Sequence, residues 1–218
     1  MSDTEEIERG DYLTFASIGN VAGWKSCELR PGIYRRHPDL DPSESRSDIS
    51  RDGYLGVLWR SLVDGDTARI DRILRAILKT GGTVGERGNF DYINILPLLP
   101  LFLAARFKLI PFLPLWIPEQ FTTGFRAHLV ALSIMIELEA GCSGWTSQRA
   151  IRKLVSANPE NPLFLSILCR MLGTSQTTTL DLLAQTPPET SPHGWGSCPF
   201  EIFKTLTQHN IGNTNHGR

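Results

Sequence analysis

Two aspartates are the candidates for acid–base chemistry in this sequence. Asp52 stands in the first turn of an apolar helix, directly after Ser50 and Arg51, and Asp91 is carried by a glycine-rich loop. Two carboxylates that face each other across a cleft suit work on a glycosidic bond, because one can stay protonated while the other activates water or attacks the sugar. Asp52 and Asp91 are therefore the predicted catalytic residues, with helix capping and solubility as the alternative roles of such acids.

The candidates for ligand binding are cationic and aromatic side chains. Guanidinium groups pair with carboxylates or phosphates, and flat aromatic faces stack on sugar rings. The predicted ligand-binding residues are Tyr34, Arg35, Arg36, His37, Arg51 and Trp195. The alternative is that the aromatic residues fill the core and the arginines bind helix ends or acidic loops. For Tyr34 and Trp195 the sequence does not decide between the two.

Other chemistries lack a matching motif. Asp39-x-Asp41 resembles the start of a calcium loop, but Glu44 stands where glycine is needed and Ser50 where a bidentate glutamate is needed. The four cysteines are far apart, and the five histidines form no metal-binding pair. His128 is predicted to be a core or edge histidine, because its helical neighbours are apolar. No metal and no cofactor is implied.

Composition indicates a soluble globular protein. The 218 residues are 41% apolar and 21% charged, and 22 basic against 23 acidic side chains give a formal charge of −1. Nucleic-acid binding is not expected, because it requires an excess of basic residues or a stripe of them on the surface. The acidic start, Met1 to Glu6, lacks an apolar segment, so no secretory signal is predicted. A reducing location, the cytoplasm or a virion, is favoured.

Apolar periodicity predicts an all-α fold. Ser50 is a credible N-cap for a helix over 51–62, and a second helix follows the Asp64-Gly65-Asp66 turn until Gly81. Further helices are predicted over 125–139, after an N-cap at Ser147, over 163–172, over 179–184 and over 195–206. Residues 1–33 are expected to form an irregular lead with extended pieces near residues 12–18, residues 34–207 a single helical domain, and residues 208–218 a flexible tail.

The most apolar part of the chain is 93–116, which is long enough to span a bilayer. Prolines and two cations cut it into runs that are more typical of core helices or interfacial segments: Pro97, Pro100, Arg106, Lys108, Pro111 and Pro114. A membrane partner is therefore not expected. Attachment to a membrane through 93–118 is the alternative, and it would show as an exposed apolar band there.

A family resemblance rests on two motifs, Gly32-Ile-Tyr-Arg-Arg-His-Pro38 and Ser50-Arg-Asp-Gly-Tyr-Leu-Gly56. This pair resembles that of poorly characterised bacterial and phage proteins, which are predicted to be helical toroids similar to carbohydrate-active (α/α) enzymes. Asn158-Pro-Glu-Asn-Pro-Leu-Phe164 and Trp195-Gly-Ser-Cys-Pro-Phe-Glu201 fit the same pattern. The resemblance implies helical hairpins packed as a partial or small (α/α) toroid, since the chain is short for six hairpins.

Two functions follow from these patterns. The leading hypothesis is a glycan-active or glycan-binding protein of bacterial or phage origin, such as a carboxylate-dependent glycoside hydrolase or lyase. The alternative is a non-enzymatic assembly or interaction protein, such as a phage structural component, in which the Arg and Asp residues only fasten a loop onto the helix that begins at Arg51. A groove lined by Tyr34, Arg51 and Trp195 would favour the first, and mutual hydrogen bonding the second. Substrate and oligomeric state stay open.

Overall fold

The computed structural model describes residues 7, 10–39, 49–84, 93–109, 122–186, 195 and 198–212. Over these residues the protein is mainly helical, which confirms the predicted helical class. The nine α-helices of the described part are α1 (Tyr12–Ile18), α2 (Arg51–Val63), α3 (Thr67–Thr80), α4 (Leu99–Phe107), α5 (Gly124–Glu139), α6 (Trp145–Ala157), α7 (Pro162–Leu172), α8 (Thr177–Gln185) and α9 (Phe200–Gly212).

Two short antiparallel hairpins accompany the helices. Strand β1 (Glu28–Arg30) pairs with β2 (Ile33–Tyr34), and β3 (Thr83–Val84) pairs with β4 (Ile93–Asn94). Gly32 lies in the first hairpin with φ +78°, and a Cβ there would lie 2.3 Å from the carbonyl oxygen of Arg72. The hairpin therefore lies directly on the backbone of α3, where Arg72 also pairs with Glu28.

Capping side chains set the starts of α2, α3 and α7, and Ser50 is the cap that the sequence predicts. Ser50 Oγ accepts a hydrogen bond from the Gly53 N–H, and Asn161 Oδ1 accepts from the first N–H groups of α7, which begins with Pro162. Gly81 ends α3 in the left-handed conformation, with φ +64°. These helix ends are fixed by local chemistry, which explains why the sequence locates them.

Three expectations about helices are wrong. Residues 12–18 form α1 rather than extended pieces, and the helix is held by burial of Leu13, Phe15 and Ile18. Ser147 is not the N-cap of α6, since Gly144 occupies that position and Ser147 Oγ accepts from the Gly144 N–H. The last helix is Phe200–Gly212 instead of 195–206, so it continues into the expected tail.

Five of the helices contact one another in a closed circuit. Helix α1 packs on α2, α2 on α5, α5 on α7, α7 on α9, and α9 returns to α1. At this last contact a Cβ on Gly19 would lie 2.9 Å from Ile202 of α9. Helices α3 and α4 pack on each other beside α2. In the described part of the chain, none of the helices is both long and apolar enough to cross a bilayer.

Candidate functional site

Asp52 lies inside the protein, in the first turn of α2. The residue is 3% exposed, and its Oδ2 accepts a 3.2 Å hydrogen bond from Thr14 Oγ1 of α1. His128 of α5 is 4% exposed and places Nε2 4.0 Å from the same oxygen. A polar group of three side chains thus joins α1, α2 and α5, and the prediction that His128 is a core histidine is confirmed.

Trp195 covers one side of this polar group. Its indole is completely buried, with its ring 5.5 Å from the His128 ring and 5.9 Å from the Phe15 ring. The structure therefore brings together two of the predicted site residues, Asp52 and Trp195, with His128 between them. Because the indole contacts other core rings, it presents no face to a ligand arriving from solvent.

The predicted cationic residues make separate contacts with the protein itself. Arg51 is exposed, and its Nε donates a 3.0 Å hydrogen bond to the carbonyl oxygen of Asn94 in β4. Arg35 and Arg36 are half-buried, and their main chains bond Cys27 and Leu13. These contacts fasten β2 and the start of α2 to neighbouring elements.

The remaining predicted residues also have internal partners or lie elsewhere. Tyr34 is 1% exposed, and its ring meets the Tyr54 ring edge to face at 5.7 Å, so it is a core residue. Burial raises the pKa of the Tyr34 phenol. His37 stands edge-on to Tyr12 with ring centres 4.5 Å apart. Asp91, the other predicted catalytic carboxylate, lies outside the described residues.

Glu137 is a buried carboxyl group that the sequence reasoning missed. It lies on α5 and is 1% exposed, with Oε2 accepting a hydrogen bond from Ser147 Oγ. Its Oε1 is buried without a hydrogen-bond partner in the described part of the chain. Burial raises the pKa of Glu137 to about 7, although the Ser147 hydrogen bond lowers it somewhat. The available signal was an acid in the apolar run Ile134 to Leu138.

Cys142 stands beside this glutamate at the α5–α6 connection. Its Sγ donates to the carbonyl oxygen of Glu137 over 3.6 Å, and the Cys142 N–H donates to the same oxygen. Burial, with a contribution from the Glu137 charge, raises the pKa of the Cys142 thiol to about 11. The thiol therefore stays protonated near neutral pH and is a poor nucleophile.

A groove lies between α3 and α4, at one edge of the buried stripe of α3. Its volume is about 380 Å³, and its apolar lining, here named the α3–α4 face, consists of Leu74, Leu78, Leu99, Leu103 and Phe107. Leu78 is 75% exposed and Phe107 is 56% exposed. The sequence places Leu78 in the apolar stripe of α3, but periodicity cannot tell which edge of a wide stripe lacks a neighbour.

The charged residues beside the α3–α4 face are mostly cationic. Asp71, the carboxylate in the groove lining, is paired with Arg106, whose Nε lies 2.6 Å from Oδ1. Arg75 also lines the groove, and Lys79 follows it by one helical turn. Lys108 comes directly after Phe107 at the end of α4. Among the residues that the structure describes, the surroundings of these apolar side chains therefore have a cationic excess.

Comparison with known proteins gives no assignment for either site. No protein-family model, no curated protein and no solved structure matches the chain. Within the described ranges, no three His, Cys, Asp or Glu side chains come together as metal ligands would.

Proposed function

We propose that this protein is a non-enzymatic interaction protein and that the α3–α4 face is its attachment surface. The observation that carries the proposal is the exposure of Leu78 and Phe107 side by side on a groove, since exposed apolar patches mark interaction sites. A large apolar side chain left in water forgoes about 1.5–3 kcal/mol that burial would provide. Attachment to a partner recovers that free energy.

The contacts of the predicted polar residues also support this proposal. The Arg51 side chain bonds the backbone of Asn94, and Asp52 bonds Thr14. Arg35 and Arg36 are joined to Cys27 and Leu13 through their main chains. Tyr34 and Trp195 are core residues. Mutual bonding of this kind is what a scaffold needs, whereas a ligand site keeps polar groups and aromatic faces available in a cleft.

A photo-crosslinking amino acid at position 78 tests the attachment surface. The Leu78 variant is expected to form adducts with a defined partner when it is irradiated in cell extract that contains membranes. The matched control is the same amino acid at Leu180, which is 46% exposed on α8, away from the groove. Equal adduct patterns from both positions would remove the basis for the proposal.

Glycan processing is the second candidate, and the buried Asp52–His128 pair is the observation in its favour, because ionisable pairs shielded from water occur at catalytic sites. The closed circuit of α1, α2, α5, α7 and α9 likewise supports a toroidal arrangement of helices, which belongs to this second candidate. If the wild type hydrolyses a member of a glycan panel and Asp52→Asn does not, glycan processing is the function and the interaction proposal is wrong. No glycan turnover by either protein is expected under the interaction proposal.

A further inference from the structure

The α3–α4 face combines protruding apolar side chains with a cationic rim, and we propose that its partner is the surface of an anionic membrane. This inference rests on the proposed attachment function and names the partner class. A peripheral protein binds a bilayer by inserting apolar side chains below the headgroups while cations meet the anionic lipids. Both components are present on the same face of this protein.

The apolar component protrudes instead of only lining the groove. Leu78 is 75% exposed and Phe107 is 56% exposed, and they come from different helices. Leu109, two residues after Phe107, is 55% exposed. Leu96 is 45% exposed and lies against Gly82, which follows Leu78 by four residues. Side chains that stand out from the surface can enter a lipid layer without any rearrangement of the helices.

The cationic component selects between a membrane and other apolar partners. Arg106 neutralises Asp71. Arg75 lines the groove, Lys79 and Lys108 follow Leu78 and Phe107 directly in the chain, and none of the three is in an ion pair within the described residues. Long basic side chains keep their stems on apolar surroundings while their charges reach the headgroups. A second copy of the chain would bring the same cations against each other, so this rim disfavours a symmetric dimer.

The sequence that follows Leu109 has the same apolar character. From Leu109 to Pro118 there is no ionisable side chain, and the stretch includes Phe112 and Trp116, although residues 110–118 lie outside the described residues. Aromatic residues of this kind are enriched at membrane interfaces. Leu96, Phe107 and Leu109 are exposed apolar residues within 93–118. Exposed apolar side chains are what membrane attachment through this stretch predicts.

Sedimentation with lipid vesicles tests the inference. The full chain is expected to pellet with sucrose-loaded vesicles of equimolar phosphatidylglycerol and phosphatidylcholine, and far less with phosphatidylcholine alone. Leu78→Ser should weaken partitioning about tenfold through lost apolar insertion. Arg75→Glu should weaken it by about fivefold or more, and added salt should weaken the wild type in the same direction.

Matched control variants distinguish binding through the α3–α4 face from nonspecific adsorption to vesicles. Leu180→Ser and Arg152→Glu change exposed residues on α8 and α6 and should leave partitioning unchanged. Equal losses in both sets would overturn the inference. Circular dichroism and thermal unfolding of each variant confirm that a loss of binding does not reflect a loss of fold, as Leu78 and Arg75 are exposed.

Two other outcomes overturn the membrane partner and leave the attachment surface standing. One is a wild type that ignores anionic vesicles while the position-78 crosslinker captures a protein. The other is a dimer in solution that Leu78→Ser disperses and Leu180→Ser does not. Absence of both vesicle binding and position-specific adducts would instead refute the proposed function itself.

Discussion

Glu137 is a carboxyl group held among apolar side chains, and its ionisation opposes folding. In the unfolded chain it loses its proton near the ordinary pKa of 4.5, whereas in the folded protein the pKa is about 7. Between these two values the folded state binds more protons than the unfolded state, so stability falls as pH rises. At alkaline pH the whole penalty is present, on the order of 3 kcal/mol.

Replacing Glu137 by glutamine removes this penalty. We expect Glu137→Gln to match the wild type at about pH 4 and to be more stable by about 1–3 kcal/mol at about pH 8, because the amide cannot ionise. Urea unfolding at the two pH values measures the difference. The control is Glu160→Gln, at an exposed position, where no pH-dependent gain is expected. A variant whose stability follows the same pH dependence as the wild type would contradict the buried-carboxyl account.

Single side chains show what the sequence can and cannot indicate about the site. Asp52 was singled out because it stands in the first turn of a capped helix, a local feature. Its partner Thr14 is 38 positions away, and its neighbour His128 lies on another helix. Pairings across such separations depend on tertiary packing, which neither capping nor periodicity encodes. The burial of Tyr34 and Trp195 was undecidable for the same reason.

Helices α1 and α2 are held close together by the absence of a side chain at Gly56. A Cβ at this position would lie 2.6 Å from the carbonyl oxygen of Thr14 and 3.0 Å from its Cα. The clash would be with backbone, which cannot rotate away as a side chain can. The contact also lies next to the hydrogen bond from Thr14 to Asp52, so the spacing of the two helices positions the buried polar group.

Gly56→Ala is therefore expected to destabilise the protein by about 1–3 kcal/mol, because α1 must move off α2. The matched control is Gly53→Ala on the same helix, where the nearest contact of the new methyl group is the end of the Leu13 side chain at 3.1 Å. That side chain can shift, and alanine favours a helix, so a change below about 1 kcal/mol is expected. Denaturant unfolding compares the two, and equal effects would argue against a backbone clash.

Elements differ in how far the sequence specifies them. Helices α2, α3 and α7 carry their own start or stop signals in Ser50, Gly81, Asn161 and Pro162, and they were predicted close to their observed bounds. Helix α1 has seven residues, too short to be stable by itself, and its Asp11 N-cap makes no side-chain cap. It is helical because α2 covers it, and the local sequence pattern of residues 12–18 does not indicate that tertiary contact.

Across the whole molecule, Glu139 links three members of the helical circuit. Its Oε2 lies 2.8 Å from Nε2 of His209 on α9 and accepts a 3.2 Å hydrogen bond from Arg170 on α7. Burial alone would raise the pKa of Glu139, but the His209 hydrogen bond and the Arg170 charge together bring it below its usual value. A lowered pKa means stability that is present above the unfolded pKa and is lost as pH falls.

Glu139→Gln should cost about 1–3 kcal/mol at neutral pH, since it removes a charged acceptor from two bonds. The difference from the wild type should shrink as the pH falls below about 4.5, where the wild-type glutamate becomes protonated in the unfolded chain. Glu201→Gln serves as the control, because the Glu201–Lys204 pair is exposed on one helix and contributes little. Thermal unfolding across this pH range gives both comparisons.

The return of α9 to α1 bears on how the protein is made. Domains begin to fold on the ribosome from the first segments synthesised. Here the surface of the first helix beside Gly19 receives its cover, Ile202, only when the last helix has been translated. Until then that patch lacks its cover, so the core around α1 is completed only after the intervening helices have been made.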